Sequence, residues 1–289
     1  MNTQLLRKAI IISISIVISV AGIAQNRHEV SFFGGGGLST LSYSPKEGKQ
    51  KDNFGYSVGV DYNFYFSSNF SIKSGLSLSD YNSKLEMNSL SDKYLTQDIG
   101  GEPFELQYQV DNYEEKQNMM SLNIPIMLQY EQGSKTKFYV AGGVKIGIPV
   151  KSESEISSAK IKALGYFPQW SETPIDEPEF MGFGNFNSLK STYDLDFSLA
   201  VMLSLEAGVK WQLSDKLSLY TGVYCDFGVN DINKENNKNW LIYNKDYPTN
   251  YVFNSALASS INKNGEQKDV VKKVTPMAIG AKISLAVEL

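Results

Sequence analysis

Two residue types that carry much of protein chemistry are almost missing from this chain of 289 residues. Cysteine occurs once, at Cys225, so no internal disulfide can form and no lipid-modified cysteine follows the N-terminal apolar segment. Histidine also occurs once, at His28. A histidine-rich zinc site therefore cannot form, and a Ser-His-Asp triad would have to use this one residue. We therefore expect no catalytic residues, no cofactor and no metal site.

Basic charge and long apolar runs are also scarce. The net charge of -4 gives no electrostatic case for binding nucleic acid. The mean hydropathy of -0.25 excludes a bundle of membrane helices. The longest apolar run, residues 9–20, follows Arg7 and Lys8 and precedes small residues at 22–24. We predict a signal peptide at residues 1–24 and a mature chain of 25–289, with an N-terminal membrane anchor as the alternative.

What the chain does contain is a strict alternation of apolar and polar residues. Every odd position from Leu195 to Leu213 is apolar, and the pattern resumes over residues 217–229 after a short turn. A period of two is typical of a strand with one apolar face. In a membrane helix, the charges of Glu206 and Lys210 would each cost about 2.5 to 3.5 kcal/mol. Because these runs are much longer than an average soluble strand, they favour a membrane barrel.

Similar alternation recurs along the mature chain and predicts the architecture. Eight strands are joined by connections that are alternately long and short, as in barrels with short periplasmic turns and long extracellular loops. The sequence predicts an all-β, transmembrane, antiparallel up-and-down barrel of eight strands. Ten strands is the alternative, because residues 104–110 and 251–253 also alternate. The main predicted loops are residues 83–117, 151–192 and 230–272.

Aromatic residues flank the three short turns on the apolar faces of the strands. Such a cluster is typical of the aromatic belt at one membrane interface, here the periplasmic one. A general preference of aromatics for strands is the alternative explanation. The predicted belt is Tyr62, Phe64, Phe66, Phe70, Tyr130, Phe138 and Trp211.

Three acids and four bases occupy the opposite faces, which would point into the barrel. An eight-stranded barrel is only wide enough to be filled by side chains, so these charges would form a paired network. The network is either a plug of salt bridges or the lining of a gated ion path. Its predicted members are Asp61, Lys73, Lys145, Glu206, Lys210, Asp226 and Lys282. Four consecutive glycines, residues 34–37, are explained as wall positions where a bulky interior group needs room.

Three segments resemble a known family. Residues 121–130 (SLNIPIMLQY), 137–143 (KFYVAGG) and 280–285 (GAKISL) are similar to the outer-membrane β-barrel proteins of Bacteroidota known as PorT-like or porin family. The resemblance implies a small OmpA-type barrel in the outer membrane of a Gram-negative bacterium. It also implies a role as the barrel component of a secretion assembly as one option.

The predicted loops are the remaining functional candidates. The loop at 151–192 is rich in aromatic residues, which would either pack as a lid or contact a partner. Its candidate contacts are Phe167, Trp170, Phe180, Phe183 and Phe186. We expect a non-enzymatic outer-membrane protein with a structural or surface-interaction role, or alternatively a narrow porin-like channel. Its expected partners are outer-membrane lipid and an extracellular or envelope protein.

Overall fold

The computed structural model describes residues 27–170, 173–187, 190–235, 237–263 and 266–289. The predicted signal peptide lies outside the described residues. Within them, the one helical element is a 3-10 turn at Glu179–Met181. No helix in this part of the chain has the length and apolar character to cross a membrane. The prediction of an all-β fold is confirmed.

Eight long strands form the framework. Each strand pairs antiparallel with the next one along the chain, and the last pairs with the first, so the hydrogen bonding closes into a ring. A closed ring leaves no strand edge unpaired along its circumference. The strands are β1 (His28–Pro45), β2 (Phe54–Tyr65), β3 (Phe70–Gln97), β4 (Pro103–Gly133), β5 (Thr136–Tyr166), β6 (Ala200–Gln212), β7 (Leu217–Gly228) and β8 (Val271–Glu288).

Shorter strands lie outside this ring. Lys49–Asp52 pairs with β3, and Gly184–Asn187 and Ser191–Asp194 both pair with β5. The remaining short strands pair among themselves between β7 and β8; they are Lys238–Asn239, Leu241–Ile242, Val252–Phe253, Ser259–Lys263 and Glu266–Asp269. Residues 104–110 continue β4 and residues 252–253 belong to a separate hairpin, so neither alternating segment adds a strand to the ring.

The two ends of the ring differ. The turn end carries the three short connections, the start of β1 and the end of β8. At the opposite, projecting end, β3, β4 and β5 continue far beyond the other strands. The prediction of loops over residues 83–117 and 151–166 is therefore wrong, because strands fill most of both stretches and residues 98–102 are the whole connection between β3 and β4.

The polarity of the two faces inverts along β3, which explains this error. Near the turn end, the outward residues Leu76 and Leu78 are apolar. Between Asp80 and Lys93 the outward residues are polar, and inward residues such as Tyr81 and Leu85 are apolar and buried. The same strand therefore passes from an apolar to a polar exterior while its pairing with β4 continues unshifted from Ser77 to Met87.

A bulge hides the continuation of β4 as well. The register with β5 shifts between Asp111 and Glu114, and Asn112 adopts a positive φ of 55°. As a result, the buried positions change from even at Val110 to odd at Tyr113. A bulge of this kind inserts one residue without ending the strand. The alternation in the sequence is therefore interrupted at the bulge, although β4 itself continues.

The extensions of β3, β4 and β5 form a curved sheet whose inner face is covered by chain. The covering segments are residues 167–170 and 173–187, which follow β5, and the described residues of 230–270, which connect β7 to β8. Together the sheet and its cover enclose one apolar core, and we call this unit the projecting domain. Its largest fully buried side chains include Leu85, Met87, Phe104, Leu106, Tyr113, Phe183, Trp240 and Phe253.

Of the glycines at residues 34–37, Gly35 leaves room for an interior ring, and Gly280 does the same, whereas a Cβ at Gly36 would meet the ring of Phe54 and one at Gly37 the backbone of Ile279. A Cβ added at Gly35 would lie 3.2 Å from Cε1 of Tyr224, and one at Gly280 would lie 3.0 Å from the same atom. Both distances are tighter than ordinary van der Waals contact. Tyr224 of β7 therefore fills the lumen beside positions of β8 and β1 that have no side chain.

Candidate functional site

The lumen near the turn end is filled by a charged cluster. Lys210 binds the carboxylate of Glu29, and its Nζ lies 3.6 Å from Glu131. Arg27 lies 3.3 Å from Glu131 and stacks over the ring of Tyr65. The hydroxyl of Tyr65 donates to Glu131. Both carboxylates therefore have cationic partners even though they are almost fully buried.

Glu29 and Glu131 were not among the predicted lumen charges. Glu29 has the same parity as the inward Ser31, and Glu131 has the same parity as the inward Gln129. Extending the alternation of β1 and β4 to the ends of these strands would have found both residues.

A second cluster occupies the middle of the lumen. Lys282 lies 2.8 Å from Asp61 and 3.0 Å from Glu206. Lys73 also binds Glu206, and its Nζ lies 3.9 Å from Asp61. The four residues come from β2, β3, β6 and β8, so the ion pairs link opposite walls of the ring.

One further pair lies nearby. Lys145 donates to Asp226 at 2.6 Å, and the hydroxyl of Ser204 donates to the other carboxylate oxygen at 2.5 Å. The structure thus places all seven predicted charges inside the ring. Six of them lie in this pair and the middle cluster, whereas Lys210 lies in the turn-end cluster.

Little free space remains between these ion pairs. The cavity that borders Asp61, Lys145, Glu206 and Lys282 has about 20 Å³ of space for the centres of water molecules. That volume suffices for about one or two water molecules. The described lumen is therefore occluded at the level of the middle cluster.

A buried acid that has no cationic partner among the described residues marks the base of the projecting domain. Glu115 is fully buried and accepts hydrogen bonds from the hydroxyl of Tyr113 at 2.7 Å and the backbone amide of Ala256 at 2.9 Å. It also accepts from the hydroxyls of Ser154 and Ser255. Since a buried carboxylate needs such donors, Glu115 ties β4 and β5 to the covering segment. The sequence placed it in a loop, so its role was missed.

Among the carboxylates of the projecting domain with shifted pKa values, Asp92 and Glu86 shift in opposite directions. Burial raises the pKa of Asp92, which accepts hydrogen bonds from the hydroxyl of Tyr108 at 2.8 Å and the amide of Asn262 at 2.7 Å. Hydrogen bonds from Lys51 and Lys84 lower the pKa of Glu86 to about 2. Asp92 thus holds the covering segment, and Glu86 holds neighbouring strands on the outer face.

The predicted aromatic belt lies on the outward face near the turn end. The rings of Phe66 and Phe70 stack with centroids 6.2 Å apart, and the ring centroids of Phe70 and Tyr130 are 4.9 Å apart. Tyr62 and Phe64 flank His28. Phe138 and Trp211 complete the set, and both are exposed.

The five aromatic residues predicted as loop contacts separate into two groups. Phe167 and Phe183 are buried in the core of the projecting domain, and Phe186 packs against that core. These three residues therefore hold the covering segment in place. Trp170 and Phe180 are exposed and are the two that remain available to a partner.

The described residues contain no group of three or more His, Cys, Asp or Glu side chains that is arranged to hold a metal ion. The family model for the outer membrane protein beta-barrel domain matches residues 23–234 of this chain. The chain belongs to this family. The match supports a location in the outer membrane, whereas membership of the PorT-like group stays a prediction.

Solved structures give weaker similarities. Neisserial surface protein A is 8% identical, with a TM-score of 0.35, over 92% of this chain and 99% of that one. The N-terminal β-barrel domain of Pseudomonas aeruginosa OprF is 11% identical, with a TM-score of 0.30, over 92% and 98%. Yersinia pestis Ail, in complex with the heparin analogue sucrose octasulfate, is 9% identical, with a TM-score of 0.28, over 90% and 97%. These likenesses carry no argument about ligands. The comparison with curated proteins found no match.

Proposed function

We propose that this protein is a closed, non-enzymatic outer-membrane barrel that anchors an external interaction domain. In this proposal the eight-stranded ring spans the membrane, and the projecting domain contacts a protein of the envelope or the extracellular space. The observation that carries the proposal is the buried apolar core beyond the polarity inversion. A mere loop needs no such core, whereas a rigid domain that presents a surface does.

The orientation follows from the two ends. In outer-membrane barrels the short turns face the periplasm and the long connections face outward. The turn end would then be periplasmic, with the aromatic belt at the inner interface. The apolar exterior on β3 from Phe70 to Leu78 spans about nine residues, close to what a membrane strand needs.

The channel alternative has less support. The buried lumen carboxylates among the described residues have cationic partners, and the cavity between them is small. Above them, the apolar core of the projecting domain covers the lumen. A conducting path would have to break both layers. No described feature favours a secretion assembly over another protein partner.

Two measurements test the proposal. The refolded mature chain should carry no steady current in a planar bilayer, and neither should Glu206→Gln, because the other ion pairs still fill the lumen. Photo-crosslinkers placed on the projecting domain in intact cells should capture protein, whereas crosslinkers at the lipid-facing Leu76 should not. A steady current whose ion selectivity changes in Glu206→Gln would instead establish the channel. Absence of any crosslink from the projecting domain would remove the interaction role.

A further inference from the structure

The far tip of the projecting domain exposes a group of large apolar side chains. They come from the end of β3 with the connection that follows it, the segment after β5 and the segment between β7 and β8. We call them the tip patch: Leu95 (79% exposed), Ile99 (67%), Trp170 (66%), Phe180 (72%) and Tyr247 (65%). Large exposed apolar groups of this kind mark interaction sites, and aromatic residues contribute strongly to such interfaces.

A single buried aromatic cluster supports the three segments. Phe104 of β4 packs against Phe167 at 5.0 Å and against Tyr243 at 5.2 Å. Trp170 stacks on Phe167 with centroids 5.2 Å apart and the planes only 4° from parallel. The tip patch therefore rests on a packed core and is preorganised, which reduces the entropic cost of binding.

Contacts with backbone carbonyls hold the Phe180 and Tyr247 segments in place. The hydroxyl of Tyr243 donates to the carbonyl of Met181 at 2.9 Å, next to Phe180. The hydroxyl of Tyr251 donates to the carbonyl of Gly182 at 2.6 Å. Gly182 lies so close to Pro248, the neighbour of Tyr247, that a Cβ would be 2.6 Å from the Pro248 carbonyl oxygen. The Phe180 and Tyr247 segments therefore lie side by side.

The surroundings of the tip patch are strongly acidic. Residues 95–105, 166–170, 173–182 and 243–250 contain seven carboxylates and one lysine, Lys245. Glu105 is paired with Lys93, and Asp98 is buried. The exposed carboxylates are Glu102, Asp176, Glu177, Glu179 and Asp246.

The negative charge around the tip patch limits which molecules can bind there. A second copy of the chain would bring a like-charged border against this one, and an anionic lipid or glycan surface would also be repelled. We propose, as a deepening of the proposed function on which it rests, that the tip patch binds a positively charged protein segment with an apolar anchor. The anchor contacts Trp170 and Phe180, while lysine or arginine side chains meet the acidic border.

The probe for this proposal is a phage-displayed library of random peptides, selected against the full mature chain in lipid nanodiscs. We expect enriched peptides to combine lysine or arginine with an aromatic or large aliphatic residue. Their affinity should fall by about tenfold or more in Phe180→Ala and in Trp170→Ala. It should also fall in Glu177→Gln/Glu179→Gln and as salt rises. Matched controls outside the tip patch are Val252→Ala and Glu114→Gln, which should leave the affinity unchanged.

Distinct results would overturn the proposal. Enriched peptides without net positive charge, or with affinities that Phe180→Ala and Trp170→Ala leave unchanged, would contradict it. Dimerisation of the chain that Phe180→Ala abolishes would assign the tip patch to a second copy. If crosslinks form in cells from the projecting domain but none form from tip positions, this inference is contradicted and the proposed function is not. All these variants are at exposed positions, and the faster gel mobility of the unheated folded barrel verifies that each one has folded.

Discussion

At the scale of the residue, burial decides what a charge does. Lys145 and Lys151 lie on the same strand, six positions apart, and each pairs with one acid. Lys145 is buried inside the ring with Asp226, whereas Lys151 and Glu153 are on the exposed face. The same type of ion pair therefore has different consequences in the two places.

Lys145→Met should lower the free energy of unfolding by about 3 to 5 kcal/mol, because it leaves Asp226 buried without its cation. Lys151→Met, the matched control, should cost less than about 1 kcal/mol. Urea titration of both variants in detergent micelles measures the difference. The double variant Lys145→Met/Asp226→Asn should recover part of the loss. Equal effects of the two single variants would show that the lumen pair is not structurally important.

A second prediction at this scale concerns the pH dependence of stability at Asp92. Because burial raises its pKa, the folded state binds this proton more tightly than the unfolded state. Its contribution to stability is therefore full below the unfolded pKa of about 4 and is lost as pH rises through the raised folded value. Asp92→Asn should consequently increase stability more at about pH 7 than at about pH 3. Unfolding titrations at both pH values would contradict this if the variant were equally stabilised at each.

At the scale of the element, the covering segment at residues 230–270 is attached through buried side chains, of which Trp240 is the largest. Trp240 is fully buried and contacts Tyr113 of β4 at 4.8 Å and Phe253 at 5.4 Å. Glu115 and Asp92 add hydrogen bonds to Ala256 and Asn262. The middle of the segment is therefore held by its packing on β4, whereas its start also bonds to the ring, where the amide of Ile232 donates to the carbonyl of Val274 in β8 at 3.0 Å.

Trp240→Ala should detach this segment without unfolding the ring. The loss of a fully buried indole costs about 3 to 5 kcal/mol, and that cost applies to the projecting domain. We expect proteases to cleave within residues 230–270 while the unheated protein keeps its folded mobility on a gel. Trp170→Ala, an exposed tryptophan, is the control and should stay resistant. Loss of folded mobility in Trp240→Ala would show that the ring and the projecting domain fold as one unit.

At the scale of the whole molecule, the arrangement predicts which end faces outward. The projecting end should be accessible from the cell exterior, and the turn at residues 213–216 should not. In a Cys225→Ala background, Lys93→Cys should react in intact cells with a thiol reagent that cannot cross the membrane. Asp215→Cys should react only after the outer membrane is broken. The reverse pattern would invert the orientation and move the tip patch to the periplasm.

The sequence by itself determined what depends on local alternation. It predicted the all-β fold, the outward position of the belt from Tyr62 to Trp211 and the inward position of charges such as Asp61 and Glu206. These follow from parity, because successive side chains of a strand point to opposite faces. The same rule also gives the inward position of Glu131, which was missed.

Only the tertiary structure decided the rest. The continuation of β3 past Asp80 was hidden because the exterior changes from apolar to polar, and that of β4 was hidden by the bulge at Asn112. Which aromatic residues are core and which are surface, as with Phe167 and Trp170, depends on chain that is distant in sequence. Alternation specifies the face on which a side chain lies, but what covers that face is decided by non-local packing.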